Sequence, residues 1–271
     1  MLNNIVAVAL LSYKEGLKQR LLYGIMLFAL VMMLASVLLS GLYMRDIAKI
    51  TLDFCLAAIS IGGLLVPFFI AVSLLSRDIE RRTIFTLLAR AISRGEYVLG
   101  KFLALVLLTA TIMGILSLAG LGALWTSKAL YGAHFFTNVS LPALVAAISF
   151  DLLGIVLLTA VTVLWSTLTS SSFLVTLLVI ATYIIGNTME ELIRFMSAPP
   201  PGTEISPVLL QALTVVQYIF PNLAAFDFKL AAAHGLMPPG QELLFLSLYG
   251  TGYIAAALCL AVLLFKRRDL L

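Results

Sequence analysis

Charged residues are scarce in this chain. Asp, Glu, Lys and Arg make up 11% of its 271 residues, against roughly 25% in a soluble domain. That leaves too little polar surface to cover a water-soluble globule. Cysteine and histidine are scarcer still, at two each: Cys55, Cys259, His134 and His234. The cysteines sit in apolar runs and the histidines lie far apart, which excludes a disulfide framework and a zinc cluster. Apolar residues fill the space instead. They account for 62% of the chain, and its mean hydropathy is +1.11. This is the composition of an integral membrane protein.

A helix needs about 20 apolar residues to cross roughly 30 Å of hydrocarbon. Six runs qualify: 21–43, 52–75, 100–124, 141–165, 172–189 and 243–265. The fifth is the shortest. The fold expected is all-α and membrane-spanning, with both termini on one side. Twelve of the seventeen Lys and Arg residues fall on that side. They are Lys14, Lys18 and Arg20, then six between Arg77 and Lys101, then Lys266, Arg267 and Arg268. Arg45, Lys49, Lys128, Arg194 and Lys229 fall on the other. The positive-inside rule makes the richer side cytoplasmic. The same placement explains the net charge of +4 without a nucleic-acid partner.

Residues 1–20 begin apolar, but their positive charges follow the apolar run. A secretory signal has the reverse order. Ile5, Val6, Ala9, Leu10, Tyr13 and Leu17 recur at helical spacing, giving an amphipathic helix suited to the cytoplasmic interface. The alternative is an extension of the first span. Residues 190–242 form the longest external loop, with an amphipathic stretch at 190–196, a Pro-rich break at 198–202 and an apolar run at 208–220 ended by Pro221. That run is too short to span and suits a re-entrant or surface-lying helix.

The most polar stretch is the loop at 76–99. Gly95, four residues, then Gly100-Lys101 has the spacing of a phosphate-binding loop. That motif ends in a Ser or Thr whose hydroxyl holds Mg²⁺; here Phe102 stands there. No strand pattern precedes it. Ser93 and Glu96 instead have the spacing of a capping box, which opens a helix into the third span. Gly100 then permits close packing at the foot of that span, and Lys101 marks the cytoplasmic interface.

The loop runs Asp78, Glu80, Arg81, Arg82, Thr83, then Leu87-Leu88-Ala89, Ile92-Ser93-Arg94 and Gly100-Lys101. This order resembles the cytoplasmic loop of ABC-2-type transporter permeases, in the branch with the permease of the copper-processing transporter that serves nitrous oxide reductase maturation. There the pattern is roughly E-x-x-T, L-L-A, P-[IV]-S-R and G-K. Arg82 replaces the glycine common before Thr, and Ala91 replaces the usual proline, leaving this loop more freely helical. The resemblance implies a permease that pairs with a second copy and docks a separate ATP-binding subunit. ATP and Mg²⁺ would be bound there, and this chain would hold no cofactor and catalyse nothing. It also implies a bacterial or archaeal cytoplasmic membrane, and leaves room for an external accessory protein. The docking element would be a coupling helix over Asp78, Ile79, Glu80, Arg81, Arg82, Thr83, Ile84 and Phe85. Ile79, Ile84 and Phe85 would anchor it, with charges as rim. On composition alone, the same charges could merely hold the loop at an anionic leaflet.

One carboxylate, Asp151, lies about ten residues into the fourth run, where an ionisable group is costly. It either lines a transport path or is a packing residue hydrogen-bonded to Ser149 or Thr159. Asp53, near the external end of the second run, can reach water. Trp125, Trp165, Tyr43, Tyr131 and Tyr183 have the positions of interfacial aromatic belts. Met32-Met33 reads as core packing, and Asn138 of the N-V-S triplet as incidental. An ion-coupled secondary transporter or a membrane-embedded enzyme remains an alternative. Either would require more converging polar groups than Asp151 alone supplies.

Overall fold

The computed structural model describes residues 2–41, 47–74, 93–137, 139–169, 171–197 and 207–267. The regular elements among them are all helical. They are α1 (Leu2–Leu17), α2 (Arg20–Ser40), α3 (Ile47–Leu74), α4 (Arg94–Tyr131), α5 (Leu141–Leu168), α6 (Ser172–Ser197), α7 (Pro207–Ile219), α8 (Lys229–Ala233) and α9 (Gly240–Arg267). Six of them, α2 to α6 and α9, are long and apolar enough to cross a membrane. The chain is therefore a multi-pass, all-α membrane protein.

Several helices outrun their apolar segments. Residues 190–196, expected as a separate short helix, are the last turns of α6. Nothing there breaks the ladder, and Glu190 pairs with Arg194 at 3.3 Å, one turn on. Consequently Tyr183 lies midway along α6 rather than at a span end. Its ring packs edge-on against Phe68 of α3, centroids 5.4 Å apart. Within α3, Val66–Ala71 forms a π-helical turn containing Pro67. Proline has no amide hydrogen for the α ladder, and the wider turn accommodates that loss.

α1 is separate from α2, with the break at Lys18 and Gln19. It lies along α4 rather than across it. Asn4 meets Glu96, 92 positions on, and Val8 and Gly16 meet Gly100 and Leu108 at the same offset. A Cβ on Gly100 would sit 2.7 Å from that of Val8, so this glycine does permit the close packing expected of it, against α1. α2 continues along the other half of α4, where Tyr131 donates to the Val37 carbonyl at 2.9 Å.

Beyond α7 the chain turns back into the bundle. Leu223, Phe226 and Ala232 are buried. Three glycines on three spanning helices make the seat. A Cβ on Gly154 of α5 or Gly250 of α9 would come within 3.1 Å or 3.0 Å of Phe226. One on Gly186 of α6 would meet both Leu223 and the Pro221 carbonyl at 2.8 Å. Small residues let backbones approach in this way. Polar backbone atoms are also answered there: Leu223 N–H donates to the Gly186 carbonyl at 3.0 Å, Asn222 N–H to the Tyr249 hydroxyl at 2.9 Å, and Tyr253 to the Ile219 carbonyl at 2.6 Å.

Gly186→Val should therefore push a rigid backbone carbonyl aside. The expected cost is about 1–3 kcal/mol, read as a lower thermal midpoint and faster proteolysis at 220–236. Gly252→Val, with nothing within 4 Å of its Cβ position, should leave both unchanged.

Candidate functional site

Residues 78–85, expected to dock a partner, lie outside the described residues, as do Tyr43, Asn138 and the Pro-rich break. The described chain resumes at Ser93, which caps α4. Ser93 Oγ accepts from Glu96 N–H at 3.2 Å, and Ser93 N–H donates to Glu96 Oε2 at 2.8 Å. The capping box read from sequence is present. Residues 94–101 are helical, so their amides form no phosphate-cradling loop.

That helical foot ties three other helices together. Asn4 of α1 donates to Glu96 Oε2 at 3.5 Å. Arg94 Nη1 donates to the Phe265 and Lys266 carbonyls of α9 at 3.2 and 3.1 Å, placing a cation where a helix C-terminus favours one. Tyr97 is buried and stacks on Phe265, centroids 6.0 Å apart. Lys101 differs from expectation: it does not reach out to an interface. Its side chain is 3% exposed and lies 3.9 Å from Glu15 of α1. Nζ donates to the Leu74 carbonyl at the end of α3, at 3.4 Å, and sits 5.8 Å over the Tyr97 ring. The close packing of α4 on α1 brings the Glu15 carboxylate to this buried lysine.

A second polar centre forms around Asp151. The partners are not Ser149 or Thr159. Thr159 donates to the Ile155 carbonyl at 2.8 Å, and Ser149 lines a separate, nearly apolar cavity of about 340 Å³ between α3, α4 and α5. Instead Ser60 of α3 donates to Asp151 Oδ1 at 3.0 Å. Lys229, at the start of α8, approaches the same oxygen at 3.9 Å. Its Nζ also donates to Ser60 Oγ at 3.1 Å and lies 3.1 Å from Asp227 Oδ2. The other oxygen of Asp227 accepts the Lys229 backbone N–H at 3.0 Å, which fixes the start of α8. The side chains are 14% exposed at Asp151 and 28% at Lys229.

This centre borders a cavity of about 40 Å³, also lined by Tyr183 and Asn187. A vestibule of about 480 Å³ adjoins it, sharing Asn187, Asp227 and Lys229 and adding Asp53 and Glu190. Asp53, expected to reach water, opens on this vestibule. A cavity of 40 Å³ holds one or a few waters. The arrangement can hold a cation among oxygens. The described residues contain no group of three or more His, Cys, Asp or Glu side chains placed to hold a metal ion.

Sequence reasoning found Asp151 but missed Lys229, read only as one basic residue of an external loop. The usable signal was its setting: a lone lysine in F-D-F-K-L-A-A-A, eight residues after the proline that ends an apolar run too short to span.

Residues 5–271 match the family described as "Protein of unknown function (DUF2705)", and the chain belongs to that family. No curated protein matches it.

Removing one member of the Asp151–Lys229 pair leaves a charge without its partner. Asp151→Asn and Lys229→Met should each lower the thermal midpoint, and the double variant should lower it by less than the sum of the two. The coupling, read by a double-mutant cycle, should be about 0.5–3 kcal/mol. Strict additivity would mean that the pair contributes nothing.

Proposed function

We propose that this member of the DUF2705 family is the membrane-spanning permease subunit of an ABC transporter of the ABC-2 type. ATP and Mg²⁺ are bound by a separate ATP-binding subunit, and two permease copies pair in a bacterial or archaeal cytoplasmic membrane with both termini cytoplasmic. Residues 78–85 act as the coupling helix. Ile79, Ile84 and Phe85 anchor it in the ATPase subunit, while Asp78, Glu80, Arg81, Arg82 and Thr83 rim the contact. An external accessory protein fits on the opposite side. The cargo path runs past Asp151.

One observation carries the reading furthest. The segment resembling the coupling loop leads into the foot of α4, where Arg94, Glu96 and Lys101 join α9, α1 and the end of α3. A push delivered to a loop rooted there reaches four helices at once. An ion-coupled secondary transporter is the second reading, favoured by the Asp151–Lys229 pair inside the bundle. The two differ in energy source: the first requires ATP hydrolysis, the second an ion gradient.

The full chain should co-purify with an ATP-binding protein. Phe85→Ala and Glu80→Ala should weaken that complex, by about 2 kcal/mol or roughly 30-fold if Phe85 is a central anchor. Lys101→Met should leave the complex intact but reduce stimulation of its ATPase. Transport by the isolated chain, driven by an ion gradient without ATP, would overturn the permease reading.

A further inference from the structure

The Lys229 ammonium is held as a ligand would be. An –NH3⁺ group has three donors and no acceptor. Around Nζ stand three oxygens from three elements: Asp227 Oδ2 and Ser60 Oγ at 3.1 Å, and Asp151 Oδ1 at 3.9 Å. Ser60 is itself oriented, since its own hydrogen goes to Asp151. Thus the oxygens are fixed by α3, α5 and the segment before α8, whereas the ammonium hangs on a long flexible side chain. That side chain starts from a helix of five residues.

The surroundings have the charge and size for a second ammonium. Among the described residues, the two adjoining cavities are lined by Asp53, Asp151, Glu190 and Asp227 and by one cation, Lys229, while Glu190 also pairs with Arg194. A cleft dominated by one sign concentrates counter-ions. The inner cavity, about 40 Å³, fits an ammonium head and little more, and the outer one, about 480 Å³, fits an organic remainder. The Tyr183 and Phe226 rings border the inner cavity, and aromatic faces attract cations. If Lys229 swings into the vestibule, Asp53, Asp151 and Asp227 remain for two ammonium groups, with Glu190 shared with Arg194.

We infer that the Asp151–Asp227–Ser60 centre is a binding site for the primary ammonium group of an organic amine, which exchanges with the tethered ammonium of Lys229. The amine is either a free alkylamine or the headgroup of an aminophospholipid; the chemistry at the three oxygens is the same. As a cargo site it rests on the permease reading. As a binding site it does not.

The test uses the full chain in phosphatidylcholine nanodiscs, titrated with n-butylammonium at constant ionic strength and read by intrinsic fluorescence and thermal midpoint. Tetramethylammonium, which has no N–H to donate, is the control. Wild type should bind butylammonium. Lys229→Ala should bind it about tenfold tighter or more, because the internal competitor is gone. Asp151→Asn should bind about tenfold more weakly, having lost a charged partner. Tetramethylammonium should be much the weaker ligand in every case. Repeating the titration in phosphatidylethanolamine assigns the source: competition by the bilayer supports a lipid headgroup, and an unchanged affinity supports a free amine. The inference is overturned if Lys229→Ala binds butylammonium no tighter than wild type, or if tetramethylammonium binds equally well. Ser60→Ala, expected to weaken binding, replaces Asp151→Asn should that variant not fold. Amine binding without ATPase coupling would sink the permease reading alone. ATPase coupling without amine binding would sink this inference alone.

Discussion

Hydrocarbon offers no hydrogen bonds, so every polar group inside it must be answered by the protein. Much of this fold follows from that constraint. Hydroxyls in the spanning helices turn back on their own ladders: Thr109, Thr159, Thr162 and Ser166 each bond the carbonyl four residues earlier. Between α2 and α3 the answer is a cross-helix contact, Ser40 to Thr51 at 2.7 Å. Two lysines are answered by oxygens of the protein: Lys101 by Glu15 and the Leu74 carbonyl, and Lys229 by Asp227 and Ser60. The re-entering segment could not sit in the bundle unless its amides and carbonyls found Gly186, Tyr249 and Tyr253.

Those two lysines mark two polar centres, and α3 takes part in both. Ser60, midway along α3, belongs to the Asp151 centre, while the Leu74 carbonyl at the end of the helix receives Lys101. The π-helical turn at Val66–Ala71 lies between them. A π turn is a local compromise in the hydrogen-bond ladder and is frequent at functional sites. Here it also presents Phe68 to Tyr183, which borders the Asp151 cavity. The two centres are thus connected through one helix whose winding changes midway.

The six spans were legible because length and hydropathy are local and additive properties. The capping box at Ser93 was legible for the same reason: its two residues are three apart. Asp151 could be picked out by its cost, but not its partners. Ser60 is 91 positions away and Lys229 starts a helix of only five residues, and no periodicity joins them. The seat for Leu223 and Phe226 was invisible for a related cause. Gly154, Gly186 and Gly250 are ordinary glycines in apolar runs until three helices bring them together. Lys101 was misjudged because snorkelling is the usual fate of a lysine at a span end. Only the parallel packing of α1 reveals that this one has Glu15 nearby.

α4 is 38 residues long, or about 57 Å at 1.5 Å per residue. That is nearly twice the roughly 30 Å of a hydrocarbon core. α1 and α2 run beside it like a splint, fastened by Asn4 at one end and by Tyr131 at the other. A splinted beam resists bending wherever the splint is whole. This one is cut at a single level, Lys18–Gln19, just beyond the point where Tyr13 bonds Thr111 at 3.0 Å. Stiffness is therefore unevenly distributed along the beam, and any flexure between its foot and its far end is concentrated at that joint.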